Sequence, residues 1–283
     1  MEFNVNDIKT LREKTGAGIL DCKKALGESN GDLAKAEKLL KEWGLAGVEK
    51  RAGRATNEGR IFIAGDNKKI ALVEIDCETD FVARNADFIK QGQKIAETCL
   101  EKNWSAPNAD IENMVKDIAS VIKENITLKA VKLVTANNDE YINSYIHNGT
   151  IGTVVKAKVS NPSIATNPEF TDLLHKLAIH VASFNPLFLS PAHADKNWVK
   201  EQEEIFHKQT ENDEKMKSKP ANVIEGIVKG KVNKLLSEIC LLEQGYVYDE
   251  KQKVSAVLAD FGKKNSCEVS ITDFVYIKVG VSN

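Results

Sequence analysis

Cys77, Asp80 and His147 are the residues whose types come nearest to a reactive set, a thiol, a carboxylate and an imidazole. A cysteine nucleophile needs its base within hydrogen-bond reach and a nearby group to receive the developing oxyanion. No oxyanion element accompanies this set, and Cys77 closes an apolar run where a small thiol is ordinary packing. His175 and His180 are five apart, on different faces of a helix rather than at the i, i+4 spacing of a metal pair. There is no H-E-x-x-H and no G-x-x-x-x-G-K-[ST] phosphate loop. Thr15-Gly16-Ala17-Gly18 lacks the strand–turn–helix setting of a dinucleotide fingerprint. The sequence therefore demands no bond-making reaction, no cofactor and no metal.

A different chemistry suits Cys77-Glu78-Thr79-Asp80-Phe81-Val82-Ala83-Arg84-Asn85. It is a short acidic connection carrying one large apolar side chain between the strand-like Ile70–Ile75 and a helix start at Asn85 or Asp87. Residues held between two regular elements are where binding concentrates. Phe81 and Val82 can either tuck under the helix as core or stand out towards a partner.

The 283-residue chain is 42% apolar and 28% charged, as an ordinary globular protein is. A net charge of −2 argues against nucleic acid as the main partner, since phosphate binding relies on a basic surface. Five cysteines, widely spaced and without a C-x-x-C pair, fit reduced thiols in a cytosol. No apolar run approaches the roughly 20 residues that cross a bilayer. With neither a signal-like nor a transit-like N-terminus, the expected location is the cytoplasm, away from membranes.

The elements that must position the acidic connection follow from periodicity. Asn6 or Asp7 is expected to cap a helix over Ile8–Lys14, a second helix to run from Ile19 to Leu26, and Asp32 to cap a third ended by Gly44. Ile19 and Leu20 open the second helix; one can pack inward, and an exposed pair would suit partner contact. Residues 47–59, rich in Gly, Ala, Lys and Arg, read as a linker. From Arg60 the period becomes that of strands, with a hairpin turning at Gly65-Asp66-Asn67, the acidic connection, two helices and a strand from Ile126.

The plan then repeats. Asn85, Phe88, Lys94 and Ala96 match Asn167, Phe170, Lys176 and Ala178 at a constant shift, 85 to 167 being 82, and the same shift lays Gly65 on His147. The expected fold class is α+β: a three-helix bundle over residues 1–46, the linker, then two antiparallel three-stranded sheet-and-helix modules. Module 1 takes 60–140 and module 2 takes 141–190 with 237–283, its last strand near Val269–Val279. Between them, 191–236 read as a projecting antiparallel helical hairpin. Trp198, Val199, Ile205, Phe206 and Met216 stripe one helix, and Val223 to Leu236 the other, either side of Pro220.

Two stretches together resemble a known family. Leu11-Arg12-Glu13-Lys14-Thr15-Gly16-Ala17-Gly18-Ile19-Leu20-Asp21-Cys22-Lys23-Lys24-Ala25-Leu26 is similar to the N-terminal signature of bacterial elongation factor Ts, and Cys77–Asn85 resembles its second signature. The likeness extends over essentially the whole chain, including Ile224–Lys231. It implies a ubiquitin-associated-like (UBA-like) N-terminal bundle and a guanine-nucleotide exchange factor, not an enzyme in the bond-making sense. The implied partner is elongation factor Tu, GDP-bound and nucleotide-free, with a 2:2 heterotetramer among the assemblies allowed. Thr79, Asp80, Phe81 and Val82 match the family loop that disturbs the partner's Mg²⁺ and phosphate site. Ile19, Leu20, Ile126 and His147 match further partner contacts. The alternative is a non-exchanging adaptor or chaperone of a Tu-like GTPase. Two departures stand out: Ile19-Leu20 replaces the Met-Met of many members, and Gly245 stands where a proline is frequent after Gln244.

Overall fold

A computed structural model describes residues 3–213 and 219–281. Three helices open the chain: α1 (Val5–Thr15), α2 (Ile19–Glu28) and α3 (Leu33–Arg51). The first begins earlier than Asn6 or Asp7 would set it. Asn4 is the cap, its side chain accepting from the Asn6 and Asp7 amides while Asp7 reaches back to the Asn4 amide. Gly16, at φ 69°, ends α1 in the left-handed conformation. Leu11, Cys22, Ala25, Leu26 and Ala36 form the bundle's core.

The third helix does not stop at Gly44. It continues to Arg51, so the segment read as a linker supplies further helix before it turns. The cause is packing. An added Cβ at Gly44 would lie 2.7 Å from the Ser120 side chain, so the glycine permits close helix crossing rather than termination. Arg51 then donates to the Ala119 carbonyl at 3.1 Å. Beyond it, the Ala52 and Arg54 carbonyls accept from the Asn125 side chain, which ties down the rest of the connection.

Module 1 follows as β1 (Glu58–Gly65), β2 (Lys69–Cys77), the single turn α4 (Asp80–Ala83), α5 (Ala86–Lys102), α6 (Ala109–Ile122) and β3 (Ile126–Thr135). Module 2 opens with β4 (Glu140–His147), β5 (Ile151–Val159) and α7 (Pro168–Phe184). It is interrupted by the paired helices α8 (Lys196–Glu211) and α9 (Ala221–Ile239). A small ribbon of β6 (Gly245–Tyr246) and β7 (Asp249–Lys253) then leads to α10 (Val254–Asn265) and β8 (Val269–Lys278). The sheets are antiparallel, in the orders β1-β2-β3 and β4-β5-β8. Gly245 lies so close to the Glu250 carbonyl, 2.7 Å from an added Cβ, that the ribbon explains a glycine there. Met216, expected on the first hairpin stripe, lies outside the described residues; Val228 and Val232 of the second stripe are buried, whereas Ile205 and Val223 are not.

The internal repeat holds to the residue. Strand bounds 58–65 and 69–77 recur at 140–147 and 151–159, and helix bounds 86–102 at 168–184, each shifted by 82. Asn85 and Asn167 cap these helices, and Asn103 and Asn185 end them in the left-handed conformation. The β-bulge between Glu74 and Ile75 recurs between Lys156 and Ala157. Each hairpin tip hydrogen-bonds to the first strand of the other module: Ile61 donates to Gly149 at 2.8 Å, and Ile142 to Asn67 at 2.9 Å.

The layers run helix, sheet, sheet, helix. Val73, Ile75 and Cys77 of β2 face α5 and α6, whereas Ile70 and Leu72 face the other sheet with Ile142, Val154 and Ile277. Both faces of β2 are covered, which is why its sequence is apolar nearly throughout. Glu74 and Asp76 are the exceptions. They lie on the sheet-to-sheet side, buried.

Candidate functional site

The acidic connection forms one helical turn. Thr79 caps it, its hydroxyl accepting from the Val82 amide, while the Ala83 amide returns to the Thr79 carbonyl. One turn puts successive side chains about 100° apart, so its apolar residues separate. Ala83 is buried and Val82 packs on the module 1 core, but Phe81 is 82% exposed. Of the two expectations for Phe81 and Val82, each residue takes one. Asp80 pairs with Arg84 across the turn at 3.3 Å, both facing water.

The turn is held from outside. Glu124, just after α6, accepts from the Glu78 and Thr79 amides at 3.1 Å each and from the Thr79 hydroxyl at 2.6 Å. The Asn125 amide donates to Glu78 at 2.6 Å, and Arg54 lies 3.4 Å from the same carboxylate. Lys123, at φ 67°, pairs with Asp21 of α2. Sequence reasoning missed this segment. Three polar residues after a helix look like any surface turn, and their counterpart in module 2, Ser266–Glu268 between α10 and β8, is shifted by 143 (126 to 269) rather than 82, because α8, α9 and the small ribbon intervene.

Asp21 directly follows an exposed apolar pair. Ile19 is 55% and Leu20 82% exposed on the first turn of α2, whose buried face carries Cys22, Ala25 and Leu26. Both stand out, rather than one packing inward. His147 is exposed at the tip of the β4–β5 hairpin, its ring held by the Tyr145 hydroxyl at 3.0 Å and Asn148 at 3.2 Å.

Ile126 corrects the expectation of a surface contact. It pairs with Cys77 where β2 and β3 meet and is 5% exposed, within the module 1 core. Opening a strand beside a surface turn did not expose it, because its side chain points to the helix-covered face.

Cys77 is fully buried, its thiol donating to the Thr79 carbonyl at 3.2 Å. Burial first, and then the Glu124 carboxylate, push that thiol up to about 12, so almost no thiolate exists near neutrality. No hydrogen bond joins Cys77, His147 and Asp80 among the described residues. Iodoacetamide is expected to leave Cys77 unmodified in the folded chain, and Cys77→Ala to retain near-normal activity; rapid labelling seen by mass spectrometry would contradict the burial. Among the described residues no three His, Cys, Asp or Glu side chains cluster to hold a metal, and no helix is long and apolar enough to cross a membrane.

The surface assembled here presents apolar side chains from two separate elements on polar supports. Such a surface suits protein docking, where a few large side chains supply most of the binding energy. The family model described as Elongation factor TS matches residues 78–281. A Treponema denticola protein named Elongation factor Ts is 44% identical over 282 residues, 99% of each chain. Proteins of that name from Borrelia garinii subsp. bavariensis and Borrelia hermsii are 40% and 39% identical, over 97% and 99% of this chain and 98% and 100% of their own.

Proposed function

The chain belongs to the elongation factor Ts family, which makes it a translation elongation factor, and from that premise we propose that it is a guanine-nucleotide exchange factor for elongation factor Tu. It binds the GDP-bound GTPase, disturbs the site that holds Mg²⁺ and phosphate, and releases GDP so that GTP can reload. The observation that carries this reading is Phe81, a large ring 82% exposed on a turn clamped from behind.

The chain itself makes and breaks no bond. Its action is linkage: if it binds nucleotide-free Tu more tightly than loaded Tu, it must weaken nucleotide by the same factor. Raising GDP release about a thousandfold requires lowering the barrier by about 4 kcal/mol. A central aromatic anchor supplies about 2–4 kcal/mol at a protein interface, and loss of Mg²⁺–phosphate contacts supplies the rest, because that ion shares its shell with the nucleotide. Ile19 and Leu20 add apolar contact from the bundle, and His147 presents a polar edge from the second module. Ile126 backs the turn from inside.

The test is stopped-flow release of labelled GDP from elongation factor Tu. The exchange reading expects the wild-type chain to speed release by orders of magnitude. A non-exchanging adaptor or chaperone of a Tu-like GTPase would form the complex and leave the release rate where it was. Light scattering of the purified complex decides between a 2:2 heterotetramer and a 1:1 pair.

A further inference from the structure

Three consecutive residues after α6 hold three separate parts of the molecule. Lys123 pairs with Asp21, next to Leu20 on α2. Glu124 takes three hydrogen bonds from Glu78 and Thr79, two positions before Phe81. Asn125 donates through its amide to Glu78 and through its side chain to Ala52 and Arg54, beyond the end of α3. The bundle reaches α6 elsewhere too, through the ion pair of Lys41 with Asp117 and the close Gly44–Ser120 crossing. Lys123–Asn125 differ from those contacts in touching the bundle and the Phe81 turn together.

We infer that Lys123, Glu124 and Asn125 are positioning residues that lock the Ile19–Leu20 pair and the Phe81 turn into one fixed relation, so that the chain meets its GTPase with both patches already in register. This rests on the exchange reading above and adds what makes two distant patches act together. Two contacts on one rigid body lose orientational freedom once on docking, whereas two loosely joined contacts lose it separately. Lys123 governs the bundle arm. Glu124 governs the wedge arm, because the two backbone amides and the cap hydroxyl it holds fix where the turn begins.

The two arms give different kinetic signatures. Lys123→Asp sets two carboxylates against each other and loosens the α2 end of the bundle, while Lys41–Asp117 and the Gly44–Ser120 crossing still hold α3 to α6. It is expected to raise the factor concentration needed for half-maximal GDP release about fivefold while the maximal rate stays within about twofold. Asp21→Lys combined with Lys123→Asp restores the pair in reverse and returns that concentration to near the wild-type value. Glu124→Gln leaves one acceptor oxygen where the carboxylate uses two, so either the Thr79 hydroxyl or the two backbone amides lose their acceptor, and it is expected to lower the maximal rate about tenfold with little change in the half-maximal concentration.

A general loss of stability would not divide the two parameters in this way, nor be repaired by exchanging charges. Unaltered kinetics in Lys123→Asp and Glu124→Gln, or a reversed pair that fails to recover, overturn the inference while an active wild-type chain leaves the exchange reading standing. A wild-type chain that releases no GDP overturns both.

Discussion

Phe81→Ala is expected to slow GDP release by about tenfold or more, in proportion to an interface anchor of about 2–4 kcal/mol, while the folded chain keeps its stability. The two halves of this expectation have separate physical grounds. The ring is 82% exposed, so its removal leaves no cavity in the chain's own core and takes little from folding. The turn survives because its hydrogen bonds come from Thr79 and Glu124, and its packing from Val82 and Ala83. Binding loses a side chain that the free protein holds against water at a cost, since an exposed aromatic gains its transfer energy only when a partner covers it. Thermal unfolding should overlay that of the wild type within about 0.5 kcal/mol. Stopped-flow release equal to the wild-type rate would remove Phe81 from the mechanism.

The second large effect concerns stability and lies on β2, the strand that leads into that turn. Asp76 is 1% exposed, and no donor reaches either of its carboxylate oxygens among the described residues. Burial first, and then Glu74 beside it, push the Asp76 carboxyl up to about 7, against 3.8 when free; Lys129, on the bulge of β3, pulls it back. Burial also raises Glu74. Between these two values the folded chain binds the proton more tightly than the unfolded chain does. The contribution of this group to stability is therefore greatest on the acid side and is lost as pH rises through about 7.

A shift of that size corresponds to about 4 kcal/mol for an isolated group. Because Glu74 carries part of the strain, about 2 kcal/mol is the expected gain when Asp76→Asn removes the charge at pH 8. Urea denaturation at pH 5.5 and pH 8 checks it. The wild type should lose stability between the two, and Asp76→Asn should lose much less. A wild-type midpoint that rises from pH 5.5 to pH 8, with Asp76→Asn destabilised at both, would show that the carboxylate is satisfied and charged.

Much of the scaffold was legible because its signals are local or repeated. The shift of 82 between Asn85 and Asn167 can be read from residue identities alone, and it carries both hairpins and both long helices with it. Asp32 and Asn85 announced their helices as short polar acceptors ahead of apolar periods. Gly44 misled, since a glycine late in a helix can mean either an ending or a crossing, and only the position of Ser120 on another helix decides. Asn4 was hidden by two equally good acceptors just after it. In the site, Phe81 and Leu20 were visible as large apolar residues in polar company, but their exposure depends on which face of a single turn meets the core. Ile126 failed for the same reason in reverse. Lys123, Glu124 and Asn125 were invisible because their partners are 102, 45 and 47 positions away, and no local pattern encodes such a distance.

The near-identical modules differ at one telling place. Shifted by 82, the turn at Thr79–Val82 falls on Asn161–Ile164, where Asn161 caps a short helix as Thr79 does and Ile164 is buried, but Phe81 is replaced by Ser163. The molecule thereby carries a capped turn at the same place in each module, α-helical and bearing a ring in one, tighter and opening on Pro162 in the other, once armed and once blank. What the ring adds to one half of the chain, the other half does without, a hydroxymethyl group standing in its place.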